Sequence, residues 1–141
     1  MEIALVRDIM RGKPVTIGAG DALSTVEDIM RLGGVRHLPV VRGGKLVGVV
    51  SERDLLRLSL SHLNARGTDE RRAFLQALEI GRAMSTPAIV IEPSASVEKA
   101  ALLLAENKIG CLPVVEGDDL VGLITATDML LYFAGRPPRG A

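Results

Sequence analysis

One segment of this 141-residue chain occurs twice without a gap. The stretch "LPVVRGGKLVGVVSERDL" at 38–55 returns as "LPVVEGDDLVGLITATDM" at 112–129. The register holds from Met10, which matches Met84, to Asp54, which matches Asp128, and each pair lies 74 positions apart. An internal repeat of this length constrains the fold more than any other feature, because each copy must build the same supersecondary unit.

Each copy begins with a short strand pattern followed by an amphipathic helix. The strand patterns are "PVTI" at 14–17 and "AIVI" at 88–91. The helices are expected to end near Gly33 and Asn107, aligned positions whose residue types tolerate a left-handed conformation. Helical spacing places these apolar residues on one face of each helix: Leu23, Val26, Ile29 and Met30 in the first copy, and Val97, Ala100, Leu103 and Leu104 in the second.

A predicted β-hairpin and a second helix complete each copy. Two apolar runs are joined by "GG" at 43–44 or "GD" at 117–118, which is a hairpin signal. The last helix begins after Ser51 or Thr125. Pro39 and Pro113 are expected at the first residue of a strand or at a sheet edge, because proline cannot donate to a ladder.

The resulting fold class is α/β (α+β), with two tandem β-α-β-β-α repeats packed as a pseudo-two-fold pair. A unit of about 55 residues buries its sheet poorly alone, so the repeats are expected to cover each other and to leave clefts beside their interface. The predicted divisions are a first repeat at 1–62, a helical connector at 63–79, a second repeat at 80–135 and a flexible tail at 136–141. The connector's apolar stripe is Phe74, Leu75 and Leu78, and its Arg71 and Arg72 are expected on a solvated face.

Charge and cysteine content exclude several classes of protein. The 17 basic and 17 acidic side chains balance, so no long-range field attracts nucleic acid or an anionic membrane. The single cysteine, Cys111, forms no intrachain disulfide and is expected to be a small buried hydrophobe. No apolar run approaches the ~18 residues of a membrane span. We therefore expect a cytoplasmic protein with no membrane or nucleic-acid partner.

The side chains that carry catalysis or bind metals are not grouped in this sequence. No nucleophile–base pair, carboxylate pair or metal-binding cluster is visible, and the two histidines are too few for a zinc site. We expect no enzyme, no required cofactor and no metal. One tyrosine and two phenylalanines are the only aromatic residues, so aliphatic side chains and backbone groups would have to hold a planar ligand.

Three pairs of motifs carry a family resemblance over nearly the whole chain. They are "VRDIM" (6–10) with "GRAM" (81–84), "VRHLPVV" (35–41) with "IGCLPVV" (109–115), and "KLVGVVSERDLL" (45–56) with "DLVGLITATDML" (119–130). In this order they resemble a tandem pair of cystathionine β-synthase (CBS) domains, a Bateman module that stands alone. The resemblance implies a homodimer that senses AMP, ADP, ATP or S-adenosylmethionine in clefts between the repeats. It further implies a regulated partner protein.

The hydroxyl-x-x-aspartate motif at the end of each copy has two interpretations. Ser51 with Asp54, and Thr125 with Asp128, match a helix capping box, in which the hydroxyl and the carboxylate each bond the other's backbone amide. The same geometry places a carboxylate beside the free amides of a helix start, which suits ribose hydroxyls and phosphate. A ligand-free assembly module, in which both motifs only cap helices, is therefore the alternative function.

The resemblance also implies which residues line each cleft. The first set is Thr125, Thr127, Asp128, Ile109 and Gly110 with Lys13, Pro14 and Val15 of the opposite repeat's opening strand. The second set is Ser51, Arg53, Asp54, Arg36 and His37 with Pro87, Ala88 and Ile89. Alternatives stay open at this stage: core packing for Val15, Ile89 and Ile109, a satisfied strand histidine for His37, and a solvated helix residue for Arg53.

Overall fold

The computed structural model describes residues 4–60 and 68–136. Its helices are α1 (Val6–Ile9), α2 (Leu23–Gly33), α3 (Glu52–Leu60), α4 (Thr68–Ala77), α5 (Val97–Asn107) and α6 (Ala126–Phe133), with a 3₁₀ turn at Ile80–Arg82. Its strands are β1 (Arg11–Gly12), β2 (Ile17–Gly18), β3 (His37–Arg42), β4 (Lys45–Ser51), β5 (Cys111–Glu116) and β6 (Asp119–Thr125). The mixed α/β fold class is confirmed.

The described residues divide into two compact units. The first-repeat unit contains 15–60 and 68–87, and its sheet has the order β2-β3-β4. The second-repeat unit contains 4–14 and 88–136, and its sheet has the order β1-β6-β5. Each predicted hairpin is present as an antiparallel pair, β3 with β4 and β5 with β6.

The segment that leads each repeat in sequence belongs to the unit of the other repeat. Strand β1 pairs antiparallel with β6, which places Gly12 opposite Gly122. In the first-repeat unit Ser85 forms a bridge with Val49 of β4. Each repeat is therefore completed by the segment that precedes the other repeat in the sequence.

Two aligned glycines make this close packing possible. A Cβ atom on Gly48 would lie 2.7 Å from the Ser85 carbonyl oxygen, and one on Gly122 would lie 2.5 Å from the Met10 sulfur. Real Cβ atoms do not approach other atoms so closely. Glycine at these two positions lets Met84 and Met10 lie directly on the strands.

The apolar helix faces predicted from the sequence form the cores. Leu23, Val26 and Met30 of α2 are buried against β3 and β4, and Ile29 is partly buried beside them. Val97, Ala100 and Leu104 of α5 occupy the same positions in the other unit, with Leu103 partly buried. Both predicted stripes are confirmed.

The two core helices end where the sequence indicated, but the left-handed residue is the next one. Helix α2 ends at Gly33 and α5 at Asn107, while the positive φ angles belong to Gly34 (65°) and Lys108 (54°). The prediction placed the left-handed residue of α5 at Asn107 because asparagine tolerates this conformation better than lysine does. In the structure Lys108 adopts it instead.

The opening strands are shorter than predicted. Of 14–17 only Ile17 is in a strand, and of 88–91 only Ile91 forms a bridge, parallel to Val114. The prediction that the prolines lie at the first residue of a strand or at a sheet edge was wrong for Pro39, which is the third residue of β3, the central strand of its sheet. It is confirmed for Pro113, which is the third residue of β5, an edge strand of its sheet.

The connector packs on the first repeat through its predicted apolar stripe. Leu75 of α4 is fully buried, and Phe74 and Leu78 pack beside it on the same core. Residues 63–67 of the predicted connector and 137–141 of the predicted tail lie outside the described residues.

The solvated face expected for the connector's arginines was wrong. Arg71 lies 2.6 Å from a Glu27 carboxylate oxygen, and Arg72 lies 3.0 Å from Glu27 and 2.8 Å from Asp28. Docking of the apolar stripe sets α4 beside α2, whose acidic side chains then meet the arginines. Among the described helices, none is long and apolar enough to cross a membrane.

Candidate functional site

Both hydroxyl-x-x-aspartate motifs stand where a strand turns into a helix. Ser51 ends β4 and is followed by α3. The Ser51 amide and hydroxyl donate to Asp54 Oδ2 at 2.8 and 2.9 Å, and the Asp54 amide donates to the Ser51 hydroxyl at 3.1 Å. The hydrogen bonds of the predicted capping box are therefore present in the first repeat.

The second repeat reproduces this arrangement at the start of α6. The Thr125 amide and hydroxyl donate to Asp128 Oδ2 at 2.8 and 2.9 Å, and the Asp128 amide donates to the Thr125 hydroxyl at 3.2 Å. Asp128 is only 5% exposed, whereas Asp54 is half-buried. Each helix start thus holds a carboxylate in one fixed orientation, next to backbone amides that favour negative charge.

The residues that precede β3 and β5 lie beside these helix starts. The Glu52 amide donates to the Arg36 carbonyl at 2.8 Å, and the Ala126 amide donates to the Gly110 carbonyl at 2.9 Å. His37 lies opposite Ser51 in the β3–β4 register. The structure therefore brings the predicted Arg36 and His37 to the Asp54 helix start, and Gly110 to the Asp128 helix start.

The charges at the two helix starts differ. Arg36 and Arg53 are both exposed beside Ser51, while the second repeat has Gly110 and the exposed Thr127 in the aligned positions. Burial lowers the pKa of His37 below its ordinary value, and the charges of Arg36 and Arg53 lower it further, against the opposing effect of Asp54. At neutral pH the first site therefore offers two guanidinium groups and a neutral imidazole.

The opening strands hold exposed apolar side chains at aligned positions. Val15 is 56% exposed and Ile89 is 37% exposed. Core packing, one interpretation of these two residues, is therefore wrong. Ile109 differs, since it is partly buried against the second-repeat core, and core packing describes it correctly.

The remaining predicted site residues lie along the same opening segments. Lys13 is exposed and takes a left-handed conformation with φ of 50° directly after β1. Pro14 follows it in the second-repeat unit, whereas Val15 belongs to the first-repeat unit. In the aligned segment Pro87 is exposed and follows a cis peptide bond, and Ala88 is half-buried.

A cavity of about 260 Å³ lies beside Asp128 within the second-repeat unit. Its other walls come from α1, from α6 and from the residues next to them: Ala4, Asp8, Ile9, Leu131, Tyr132 and Arg136. Sequence reasoning missed this cavity, because the packing of α1 on α6 joins segments more than 100 residues apart and leaves no local pattern. Apart from Asp128, no predicted binding residue lines it.

Metal ligands are not assembled in the part of the chain that the structure describes. No group of three or more histidine, cysteine, aspartate or glutamate side chains there is arranged to hold an ion.

Comparison with known proteins decides the family. The family model of the CBS domain matches the chain twice, at residues 6–61 and 79–135. The chain belongs to the CBS domain family. Its two CBS domains form a tandem pair, as the duplicated motifs indicated, and its solved structural neighbours are CBS domain pairs.

Two of these neighbours contain adenosine compounds. The CBS domain pair of protein MJ0100, in complex with 5′-methylthioadenosine and S-adenosyl-L-methionine, superposes with a TM-score of 0.80 at 25% identity, over 95% of this chain and 98% of that one. CBSX2 in complex with AMP superposes with a TM-score of 0.76 at 26% identity, over 94% of this chain and 97% of that one.

Some CBS relatives are longer than this pair. MJ1225 of Methanocaldococcus jannaschii is 29% identical over 136 residues, which are 92% of this chain but 45% of the relative. The similarity to such relatives therefore concerns their CBS portion.

Proposed function

We propose that this CBS pair is a non-catalytic regulatory module that binds an adenosine-containing ligand and signals its presence to a partner protein. The candidate ligands are AMP, ADP, ATP and S-adenosylmethionine. The observation that carries the proposal is the duplicated helix start, where Asp54 and Asp128 are held in the same orientation by the same three hydrogen bonds.

The chemistry of the helix start matches a nucleoside. A carboxylate has about four acceptor positions, and the capping bonds of Asp54 occupy two of them. Capping and ribose binding are therefore compatible on Asp54. The first turn of the helix adds backbone amides and a partial positive charge that suit phosphate.

Each unit also has one exposed aliphatic side chain that suits a planar base. Val15 and Ile89 present apolar surface to solvent at aligned positions, and such surface can cover a planar base without an aromatic stack. The adenosine compounds in the MJ0100 and CBSX2 structures support this class of ligand.

The charge difference between the repeats favours different ligands. Arg36, Arg53 and His37 gather at the Asp54 helix start, and guanidinium groups bind phosphate well. We therefore assign a phosphorylated ligand such as AMP to the Asp54 site. The Asp128 site, with Thr127 and Gly110 in place of the arginines, has less positive charge for a phosphate chain.

The ligand-free assembly module remains the second candidate, and two observations favour it. Both capping boxes are complete, so each aspartate already has a structural role. In addition, Leu130 and Phe133 of α6 are 69% and 75% exposed, and apolar surface of this kind suits a contact with a second copy. On this alternative Asp54→Ala and Asp128→Ala lower the stability and change nothing else.

Thermal unfolding with and without ligand distinguishes the two candidates. A ligand at one hundred times its Kd stabilises the folded state by about 2.7 kcal/mol, which raises the Tm by several degrees. We expect AMP, ADP, ATP or S-adenosylmethionine to produce such a shift, and Asp54→Ala or Asp128→Ala to reduce it. Ser96→Ala is the matched control, because it removes the capping hydroxyl of α5, which accepts from the Lys99 amide, and leaves the predicted binding residues in place.

The opposite result is equally informative. Absence of a Tm shift with every adenosine compound at millimolar concentration removes the sensing proposal and leaves the assembly module. Native mass spectrometry of the purified protein reports the subunit number and any retained nucleotide in one measurement, so it tests the proposed homodimer as well.

A further inference from the structure

Each unit has a methionine that lies directly on a glycine of a strand. The sulfur of Met10 lies 2.5 Å, and its γ-carbon 3.1 Å, from the place that a Cβ atom on Gly122 of β6 would take. The sulfur of Met84 lies 2.9 Å, and its γ-carbon 3.2 Å, from the place of a Cβ atom on Gly48 of β4. Each glycine therefore makes room for a thioether against the strand backbone.

These two methionines anchor the leading segments. Met10 directly precedes β1, whose two residues pair with β6. Met84 directly precedes Ser85, which exchanges two hydrogen bonds with Val49 of β4, at 2.8 and 3.1 Å. Because each segment has so short a backbone contact with its strand, the methionine side chain beside that contact contributes much of the attachment.

The same two methionines are accessible to solvent, unlike the other methionines of the described residues. Met10 and Met84 are half-buried, whereas Met30 and Met129 are each only 5% exposed. Cys111 is buried as well. Susceptibility of sulfur to oxidation follows exposure, so a small oxidant reaches the anchoring methionines before the other sulfur atoms of the described residues.

We propose that Met10 and Met84 form a paired oxidation site, at which a peroxide converts each thioether to a sulfoxide and thereby loosens both leading segments. The sulfur attacks one peroxide oxygen, the O–O bond breaks and an S–O bond forms. The sulfur is oxidised by two electrons, and hydrogen peroxide is reduced to water. The inference goes beyond the proposed function, since it requires no ligand.

The sulfoxide weakens the anchor because its oxygen is polar and needs a hydrogen-bond donor. The strand backbone covers one side of each sulfur, so the side chain has to turn outward for the oxygen to reach water. The glycine then loses the contact that holds the leading segment. Since the arrangement occurs in both units, one oxidant acts on both segments.

Treatment of the whole chain with dilute hydrogen peroxide tests the proposal. Peptide mass spectrometry should find Met10 and Met84 oxidised before Met30 and Met129. Hydrogen exchange should then show lost protection in β4 and β6, and the Tm should fall by several degrees. Reduction by a methionine sulfoxide reductase should restore both the protection and the Tm.

Leucine variants separate the sulfur chemistry from the packing. Met10→Leu combined with Met84→Leu nearly conserves the apolar volume and removes both oxidisable sulfur atoms, so it should fold and lose the peroxide effect. Met30→Leu combined with Met129→Leu is the matched control and should retain the effect. The single variants repeat the test if a double variant is unstable: Met10→Leu should spare β6 alone, and Met84→Leu should spare β4 alone.

Three results would each overturn the proposal. Oxidation of Met30 or Met129 ahead of the anchoring pair would contradict the order set by exposure. Sulfoxides at Met10 and Met84 that leave the hydrogen exchange of β4 and β6 unchanged would show that the modification does not loosen the segments. A peroxide effect that persists in the Met10→Leu, Met84→Leu variant would assign the sensitivity to another group.

Discussion

The effect of backbone conformation on a single residue is clearest at aligned positions where the two repeats have different residue types. Gly34 and Lys108 both follow a core helix and both have positive φ angles. Glycine adopts this conformation without strain, whereas a residue with a Cβ atom is strained there by about 1 kcal/mol. The second repeat therefore stores strain at a position where the first does not.

We expect Lys108→Gly to raise the free energy of unfolding by about 1 kcal/mol, because it removes this strain. Chemical denaturation at neutral pH measures the change. Lys108→Ala, the control, keeps the Cβ atom and should gain nothing. A glycine variant less stable than wild type would contradict this account of the helix end.

At the scale of elements, the contact between each leading segment and its strand depends on one glycine. A Cβ atom on Gly48 would lie 2.7 Å from the Ser85 carbonyl oxygen, which belongs to the backbone and cannot rotate away. We expect Gly48→Ala to lower the free energy of unfolding by about 1–3 kcal/mol, as overpacking does. Equilibrium denaturation measures the loss.

The matched control is Gly12→Ala in β1, where a Cβ atom meets nothing within 4 Å. That variant should unfold within about 0.5 kcal/mol of wild type, as surface substitutions usually do. Equal losses for the two variants would show that strand propensity, and not the close approach of Ser85, sets the cost.

A second element contact, α4 on α2, makes stability depend on pH. Partial burial alone raises the pKa of Glu27, but hydrogen bonds and charge attraction from Arg71 and Arg72 outweigh it and hold the pKa below its usual value. A hydrogen bond from Arg72 likewise holds the pKa of Asp28 low. These carboxyl groups therefore stabilise the folded state while they are ionised.

We expect the free energy of unfolding to fall as the pH drops from about 5 to about 3. Carboxyl groups of the unfolded chain, with ordinary pKa values near 4, take up protons first. The stabilisation is complete above that range and is lost as the pH falls through the lower pKa values of the folded state. Denaturation at several pH values should give a flatter dependence for Glu27→Gln combined with Asp28→Asn.

The control removes two exposed acids from the other unit, Glu116→Gln with Asp119→Asn. It should retain more of the wild-type dependence than the α2 variant does. If the two double variants lose the same share of the acid sensitivity, the ion pairs of α4 do not hold this helix on α2.

At the scale of the whole molecule, the segment that leads each repeat packs in the unit of the other repeat. This exchange of leading segments determines which fragments of the chain keep a complete core. Val6 and Ile9 of α1 are buried in the second-repeat core, and β1 extends the sheet of that unit. A cut between the repeats along the sequence would therefore separate each core from a segment that completes it.

We expect deletion of residues 1–12 to weaken the second-repeat unit, although the deleted segment precedes the first repeat. Hydrogen exchange should show lost protection in β5 and β6, because β6 loses a neighbouring strand and the core loses two buried side chains. Protection in β3 and β4 should be retained. A loss of protection concentrated in β3 and β4 would contradict the assignment of this leading segment to the second-repeat unit.

The sequence by itself determined the features that depend on spacing within one repeat. The 3.6-residue period of α2 and α5, the hairpins at Gly43 and Gly117, and the helix starts at Ser51 and Thr125 all follow from local rules of backbone and side-chain geometry. The repeat made these predictions strong, since every pattern was met twice. The duplicated motifs also sufficed to recognise the CBS pair.

Only the tertiary structure decided which segments meet across the chain. The motifs at Met10 and Met84 are equivalent, as are Gly48 and Gly122, so the sequence has no means of telling which methionine packs on which glycine. Likewise the partners of Arg71 and Arg72 on α2, and the cavity between α1 and α6, arise from packing of residues distant in sequence. Spacing rules act within about two turns or one hairpin, whereas these contacts depend on how buried surfaces fit together.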